Sequence, residues 1–151
     1  MGYALTVMAM PIVSGPLLAA VGEDRSSKTI ARVIQNAAPL GNEMEVVGVA
    51  AFPTSLPFYL RHQVFLASET ARELTSNFVI DYQEQFRRDS ASPLRAADYW
   101  RERVRDCRTP AVFVARANNA RVRAQLDSVL PLLAVEGKYA AYGPCAASSG
   151  R

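Results

Sequence analysis

The chain has 151 residues, 50% of them hydrophobic and 21% charged, which suits a single folded domain and excludes an intrinsically disordered chain. Its 17 Lys and Arg against 14 Asp and Glu give a net charge of +3 at pH 7. The two cysteines, Cys107 and Cys145, are too few and too far apart for a disulfide scaffold or a zinc site.

An uncharged, largely apolar stretch lies near the start, over Tyr3–Gly22. Its 20 residues match the length that crosses a bilayer core. Three interpretations are open: a cleaved signal peptide, although no basic region precedes it; a buried segment of a soluble fold; and the end of a membrane span, in which its prolines are tolerated. We divide the chain into this apolar segment (1–22), an α/β domain (23–145) and a flexible tail (146–151).

Helix and strand signals alternate through the first half of the domain. A serine N-cap and a three-and-four apolar spacing predict a helix over Ser27–Asn36. The apolar run Met44–Phe52 predicts a buried, parallel strand. Val64–Ala67 is a further apolar run, and Ser68–Ser76 indicates one or two helical turns capped by its first serine. Phe78–Tyr82 fits a short strand or a loop, and both stay open.

The second half continues the alternation. Serine followed by proline is a usual helix opening and predicts a helix over Ser92–Cys107. Ala111–Ala115 predicts a central strand, Asn119–Leu130 a helix that crosses the sheet, and Tyr139–Tyr142 the last strand. The whole pattern predicts an α/β fold, with a mostly parallel sheet flanked by helices.

This topology makes a prediction about the cysteines. Cys107 precedes the strand Ala111–Ala115, whereas Cys145 follows the strand Tyr139–Tyr142. If the two strands are parallel, the cysteines lie at opposite edges of the sheet, on the order of 15 Å apart. A disulfide requires Cα atoms within about 7 Å. We therefore predict that the two cysteines are not bonded, with Cys145 an inert thiol in the tail.

Motifs of cofactor and metal chemistry are missing from the sequence. It contains no glycine-rich nucleotide fingerprint, no C-x-x-C and no H-E-x-x-H, and His62 is its only histidine. We expect no cofactor and no metal site.

Arginine is concentrated over residues 87–123, which hold ten arginines and four acidic residues. Nucleic-acid surfaces usually interleave such cations with aromatic residues, but here only Tyr99 and Trp100 accompany the Arg101–Arg108 cluster. No nucleic-acid partner is expected. The pattern favours anionic lipid headgroups or pyrophosphate instead.

Two stretches, RSSKTIARVI and MEVVGVAAFPTSLPFYLRHQVFLASETAREL, resemble a known domain. It is the soluble extracytoplasmic C-terminal domain of multi-spanning glycosyltransferases that use polyprenyl-phosphate sugars, the protein O-mannosyltransferase-like enzymes and the lipid A aminoarabinose transferases. The family's serine-led helix matches Ser27–Ala31, and its SLPFYL-x-R-like segment matches Ser55–Leu60 with Arg61 directly adjacent. The resemblance spans residues 20–142.

The resemblance implies a membrane-proximal domain, on the periplasmic or external side, with an accessory, substrate-shaping role in sugar transfer. Its implied partners are the membrane or the membrane body of the enzyme, together with a lipid-linked sugar. Tyr59, Arg61 and His62 are the candidate substrate-binding residues. In this setting Phe58–Leu60 is expected to form a short edge strand, because the flanking prolines cannot donate within a ladder.

No catalytic residue is assigned. In the family the catalytic carboxylate lies in the first extracytoplasmic loop of the membrane body, which matches no position of this sequence, so the isolated chain is not expected to be active. One alternative is a stand-alone α/β binding module without catalysis. Another is a small hydrolase or transferase built around His62.

Overall fold

The computed structural model describes residues 27–37 and 44–145, so the segments 1–22 and 146–151 lie outside the described residues. The strands are β1 (Glu45–Val49), β2 (Val64–Ala67), β3 (Leu94–Arg95), β4 (Ala111–Arg116), β5 (Leu132–Glu136) and β6 (Tyr139–Cys145). The helices are α1 (Lys28–Ala37), α2 (Leu56–Leu60), α3 (Asn77–Asp81), α4 (Gln83–Arg88), α5 (Tyr99–Asp106) and α6 (Ala120–Asp127). None of these helices has the length and apolar character needed to cross a bilayer.

All six strands of the described residues form one sheet, in the order β3-β2-β1-β4-β6-β5. β1 is parallel to β2 on one side and to β4 on the other, and β2 is parallel to β3. β6 is antiparallel to both β4 and β5, so that β5 points the same way as β4. The predicted α/β fold, with a mostly parallel sheet flanked by helices, is confirmed.

The sheet is covered on both faces. Side chains of β1 alternate, so that Val46 packs beneath α1 and α2 while Val47 packs beneath α5 and α6. Ile34 of α1 is fully buried on the first face, and Leu126 of α6 is fully buried on the second. Helices α3 and α4 cover the first face near β3, where Leu66 belongs to their apolar cluster.

Several predicted elements lie where the sequence placed them. α1 and α6 correspond to the helices predicted at Ser27–Asn36 and Asn119–Leu130, and β1, β2 and β4 to apolar runs of the sequence. Local capping and apolar spacing were sufficient signals for these elements. The segment Phe78–Tyr82, for which a strand and a loop were the open alternatives, is instead largely the helix α3, so neither alternative was right.

The run Phe58–Leu60, expected to be a short edge strand, is instead part of helix α2. Pro57 lies in the first turn of that helix, where the N–H that proline lacks would have no intrahelical acceptor. Leu56 and Leu60, four residues apart, are both buried. The expectation was wrong because the parallel pair of β1 and β2 requires a crossover, which this segment provides.

The stretch Ser92–Cys107, predicted as one helix, is divided into β3 and α5. The N–H of Leu66 donates to the carbonyl of Pro93 at 2.8 Å, which aligns the chain beside β2. The Ser92 hydroxyl accepts from the N–H of Leu94 at 3.1 Å. The serine–proline pair therefore opens an edge strand, a position in a sheet where proline is tolerated.

Strand β5 was not predicted, and its presence reverses the direction of the last strand. Helix α6 leads into β5, and β6 then returns through the turn Gly137-Lys138, in which Gly137 has a φ of 55°. Because the return is a hairpin, β6 lies between β4 and β5 and runs antiparallel to both.

The prediction of unbonded cysteines was wrong for the same reason. Antiparallel pairing sets Cys145 opposite Ala111, at the start of β4, and therefore close to Cys107. The two Cα atoms are 5.8 Å apart and the cysteines form a disulfide. Cys145 is the buried last residue of β6 rather than a thiol in a tail.

Replacing both cysteines by serine should lower the free energy of unfolding by about 4 kcal/mol, since the bond joins residues 38 positions apart and restricts the unfolded chain. Urea unfolding followed by circular dichroism measures the change. A reductant should shift the wild-type curve to that of the Cys107→Ser/Cys145→Ser variant and leave the variant unchanged. Detection of two free thiols in the chain folded under oxidising conditions would contradict the pairing.

Candidate functional site

The carboxyl ends of the parallel strands lie at one edge of the sheet. From β1 the chain moves outward through β2 to β3, with α2, α3 and α4 on one face. It then crosses the other face through α5 and enters β4 on the far side of β1. The connections diverge between β1 and β4, and at such a divergence open α/β sheets leave a crevice that binds ligands.

A crevice of about 370 Å³ occupies this position, a volume typical of small-molecule sites. Val49 at the end of β1 and Ala67 at the end of β2 contribute to its apolar lining. Its polar lining residues are Ser68, Glu69, Arg101, Asn119, Arg121 and Gln125. We call this feature the crevice.

The turn after β1 depends on Gly48. Ala50, which lines the crevice, has a φ of 47°, and its N–H donates to the carbonyl of Ala67 at 2.9 Å. A Cβ on Gly48 would lie 2.0 Å from the carbonyl oxygen of Ala51. The chain can therefore fold back this closely only because position 48 carries no side chain.

The loop after β2 is held in place by hydrogen bonds. The Ser68 hydroxyl donates to the Glu73 carboxylate at 2.6 Å and accepts from the N–H of Ala71 at 3.0 Å. Arg87 of α4 donates to the carbonyl oxygens of Ser68 and Glu69 at 2.9 and 2.5 Å. The Glu69 carboxylate itself has no hydrogen bond or ion pair with any described residue, so it can accept one from a ligand.

On the other side of the crevice, Arg101 links α5 to α6. Its guanidinium lies 4.8 Å from the centroid of the Trp100 ring and donates to Gln125 Oε1 at 3.1 Å. Trp100 is buried beneath it, with 5% of its surface exposed. Stacking on the ring restricts the guanidinium, so that one cation of the crevice is already positioned.

The first turn of α6 supplies a second cation. The Asn119 side-chain oxygen accepts from the N–H of Val122 at 3.2 Å and caps the helix. Arg121, two residues further on, is exposed and has no hydrogen bond or ion pair within the described part of the chain. Its guanidinium donors are therefore available to a ligand in the crevice.

A second groove, of about 270 Å³, lies between α5 and α6. It shares Trp100, Arg101 and Gln125 with the crevice, so the two are contiguous. It also contains Arg105 and the apolar side chain of Val129, which is 51% exposed. The combined surface is cationic with an apolar border.

A polar cluster fixes α5 on the sheet. Tyr99 Oη donates to Glu45 Oε2 at 3.0 Å, and Arg103 Nε lies 2.9 Å from the same oxygen. Burial raises the pKa of Tyr99 above its usual value, and the nearby charge of Glu45 raises it further. Tyr99 therefore stays a neutral donor at physiological pH, and the cluster orients the helix that carries Trp100 and Arg101.

The predicted substrate-binding residues lie elsewhere. Tyr59 is in α2, and Arg61 is exposed just after it, with a φ of 51°. His62 Nε2 contacts the carbonyl oxygen of Met44, immediately before β1. The three residues lie together at the amino ends of β1 and β2, opposite the crevice, and their role stays a prediction.

The residues of the crevice were not singled out from the sequence. Glu69 follows the apolar run of β2, and Asn119 follows that of β4, so polar residues after each strand were the available signal. That signal became interpretable only with the strand order, which depends on β3, and β3 had been assigned to a helix. The sequence also did not distinguish Arg121 from its neighbouring arginines.

The polar groups of the crevice are suited to binding a ligand. Among the described residues no group of three or more His, Cys, Asp and Glu could hold a metal ion. The polar groups of the crevice are two guanidiniums, one carboxylate, two amides and one hydroxyl. These groups donate and accept hydrogen bonds, and the crevice residues include neither histidine nor cysteine.

No protein-family profile matches the chain, and no curated protein matches it. Two solved structures of ArnT from Cupriavidus metallidurans are similar to it. The apo structure has a TM-score of 0.58 at 23% identity, and the structure bound to undecaprenyl phosphate has a TM-score of 0.60 at 24% identity. Each match covers 87% of this chain and 22% of ArnT, so the chain spans about a fifth of that protein. At this identity the likeness shows the fold: the chain is folded like one part of ArnT.

Proposed function

We propose that this chain is the membrane-proximal, extracytoplasmic domain of a glycosyltransferase that transfers a sugar from a polyprenyl-phosphate donor. The observation that carries the proposal is the likeness to ArnT over 87% of this chain, since one of the matching structures is bound to undecaprenyl phosphate. Because the match covers only 22% of ArnT, we assign the chemical step to the rest of such an enzyme and a substrate-shaping role to this domain.

The disulfide supports the extracytoplasmic side. Cys107 and Cys145 are bonded, and structural disulfides persist in oxidising compartments such as the periplasm but are rare in the cytosol. The bond joins the end of α5 to the end of β6 and so belongs to the core of the domain.

The position of Ser27 supports a membrane-facing side at α1 and α2. Ser27 follows the uncharged stretch that ends at Gly22 by five residues, a reach of at most about 18 Å. Its N–H donates to the Ser55 hydroxyl at 3.2 Å, which ties the start of α1 to the start of α2. Phe58, in the first turn of α2, is 78% exposed. An exposed aromatic side chain close to such a stretch suits a bilayer interface.

Charge supports the same orientation. Residues 27–37 and 50–68 contain no Asp or Glu, whereas Lys28, Arg32 and Arg61 are exposed there. Cations at this face are attracted to anionic lipid headgroups, each by about 1 kcal/mol. In this orientation Arg61 lies on the membrane-facing side, which agrees with its predicted role in binding substrate.

A stand-alone binding module without catalysis is the second candidate. It is favoured by the crevice, whose lining comes entirely from residues of this one domain. In that function the domain would take up its ligand without a membrane body.

Recovery of sugar transfer with the native protein tests the proposal. Immunoprecipitation of the chain from detergent-solubilised membranes of its host should bring down activity that transfers a radiolabelled sugar from a polyprenyl-phosphate donor. The purified 151-residue chain alone should show no transfer, because the catalytic carboxylate of the related enzymes has no counterpart here.

Precipitates without transfer, from membranes that themselves catalyse the reaction, would contradict the proposal and favour the binding module. Transfer by the purified chain above the uncatalysed rate would also contradict it, and would favour the hydrolase or transferase built around His62.

Hydrogen exchange of the full chain in vesicles tests the membrane-facing side. Amides of α2 should exchange several-fold more slowly in vesicles that contain phosphatidylglycerol than in pure phosphatidylcholine. Phe58→Ser should remove most of this protection by deleting the aromatic anchor. The matched change Phe78→Ser, at a residue of α3 that is 63% exposed, should not affect α2. Equal exchange of α2 in both kinds of vesicle would refute the orientation.

A further inference from the structure

The crevice contains one arginine without a partner among the described residues and one arginine that is already held in place. Arg121 has no partner within the described residues, and Arg101 is held against Trp100 by stacking. Among the described residues that line the crevice, Glu69 carries the one anionic group, so two cations face one anion. The balance favours an anionic ligand, and guanidinium forks bind phosphate in a bidentate manner.

The other polar side chains of the crevice are suited to hydrogen bonding with the hydroxyl groups of a ligand. Asn119, Gln125 and Glu69 bring amide and carboxylate oxygens to the same cavity as the two arginines. Planar polar side chains of this kind accept and donate hydrogen bonds in fixed directions, as a ring of hydroxyl groups requires. The apolar lining at Ala67 and Val49 provides a surface for the C–H groups of a small ring.

We infer that the crevice binds the sugar-phosphate unit of a substrate, with the phosphate on Arg121 and Arg101 and the sugar hydroxyls toward Glu69 and Gln125. The position follows from the divergence of connections at β1 and β4, and the cavity of about 370 Å³ suits a small polar ligand. The choice of a sugar phosphate over other phosphate esters rests on the proposed function. The two arginines of the crevice are separate from the predicted substrate-binding residues Tyr59, Arg61 and His62, which lie at the amino ends of β1 and β2.

The unit can come from two sources with the same chemistry. One is the head of a polyprenyl-phosphate sugar, and the other is a phosphorylated sugar on the acceptor. The groove between α5 and α6 continues from the crevice past Arg105 and Val129, so a chain attached to the unit has a path along the surface. The inference therefore specifies the sugar phosphate, and the experiment separates the sources.

Titration of the full chain with glucose 1-phosphate, followed by ¹⁵N–¹H NMR and calorimetry, tests the inference. Amides of 68–69 and 119–125 should shift in a saturable way, and glucose alone or inorganic phosphate should bind more weakly. Arg121→Ala should weaken binding about tenfold or more, since a charge-assisted hydrogen bond is removed. Arg121 has no partner among the described residues, so the variant is expected to keep its fold, which the amide spectrum verifies.

Arg88→Ala is the matched control. Arg88 is an exposed arginine of α4, on the face of the sheet opposite α5, and its removal should leave the affinity unchanged. A polyprenyl-phosphate sugar in micelles is the second ligand: tighter binding than glucose 1-phosphate indicates the donor as source, and equal binding indicates a phosphorylated acceptor. In either case the crevice amides should shift.

Three results would overturn the inference: no shift in the crevice amides, equal affinity for glucose and glucose 1-phosphate, or unchanged affinity in Arg121→Ala. These results are distinguishable from failure of the proposed function. If the chain precipitates transferase activity but binds no sugar phosphate, only the inference fails. If it binds sugar phosphate through Arg121 but brings down no activity, only the transferase proposal fails, and the binding module remains.

Discussion

The structure depends on β1 having a parallel partner on each side. A parallel pair cannot be joined by a hairpin, so each neighbour of β1 must be reached by a crossover. Right-handed crossovers to opposite sides place their helices on opposite faces, which gives the domain two helical layers. The same requirement separates the loops beyond Val49 and Arg116, and the crevice is the space that this separation leaves.

The second half of the domain keeps that space in a fixed shape. β6 returns antiparallel to β4, and the disulfide joins its end to the end of α5. At its other end α5 is held by Tyr99 and Arg103, which both contact Glu45 of β1. The helix is therefore fixed near both ends, and Trp100 and Arg101 are presented to the crevice from a rigid support. This is how a disulfide remote from the crevice contributes to the site.

The sequence predicts correctly those helices and strands whose signals are local. The apolar spacing of α1 and the Asn119 cap of α6 are examples, because their physics is contained within a few residues. The errors arose where contacts with residues distant in sequence determine the local structure. Pro57 lies in a helical turn because β1 needs a crossover to reach β2. Pro93 opens a strand because β2 pairs with it. Missing β5 reversed β6 in the prediction and separated the cysteines. The crevice was missed with them, since it is a property of strand order.

The central claim is that this domain takes part in sugar transfer through the crevice. The most direct measurement is the kinetics of the proposed sugar transfer in host membranes that carry Arg121→Ala, alongside Arg88→Ala, over a range of sugar substrate concentrations. The account predicts that Arg121→Ala raises KM about tenfold, with kcat much less affected, because the residue binds substrate but does not touch the reacting bond. Arg88→Ala should match the wild type. Identical KM and kcat for Arg121→Ala and the wild type would contradict the account.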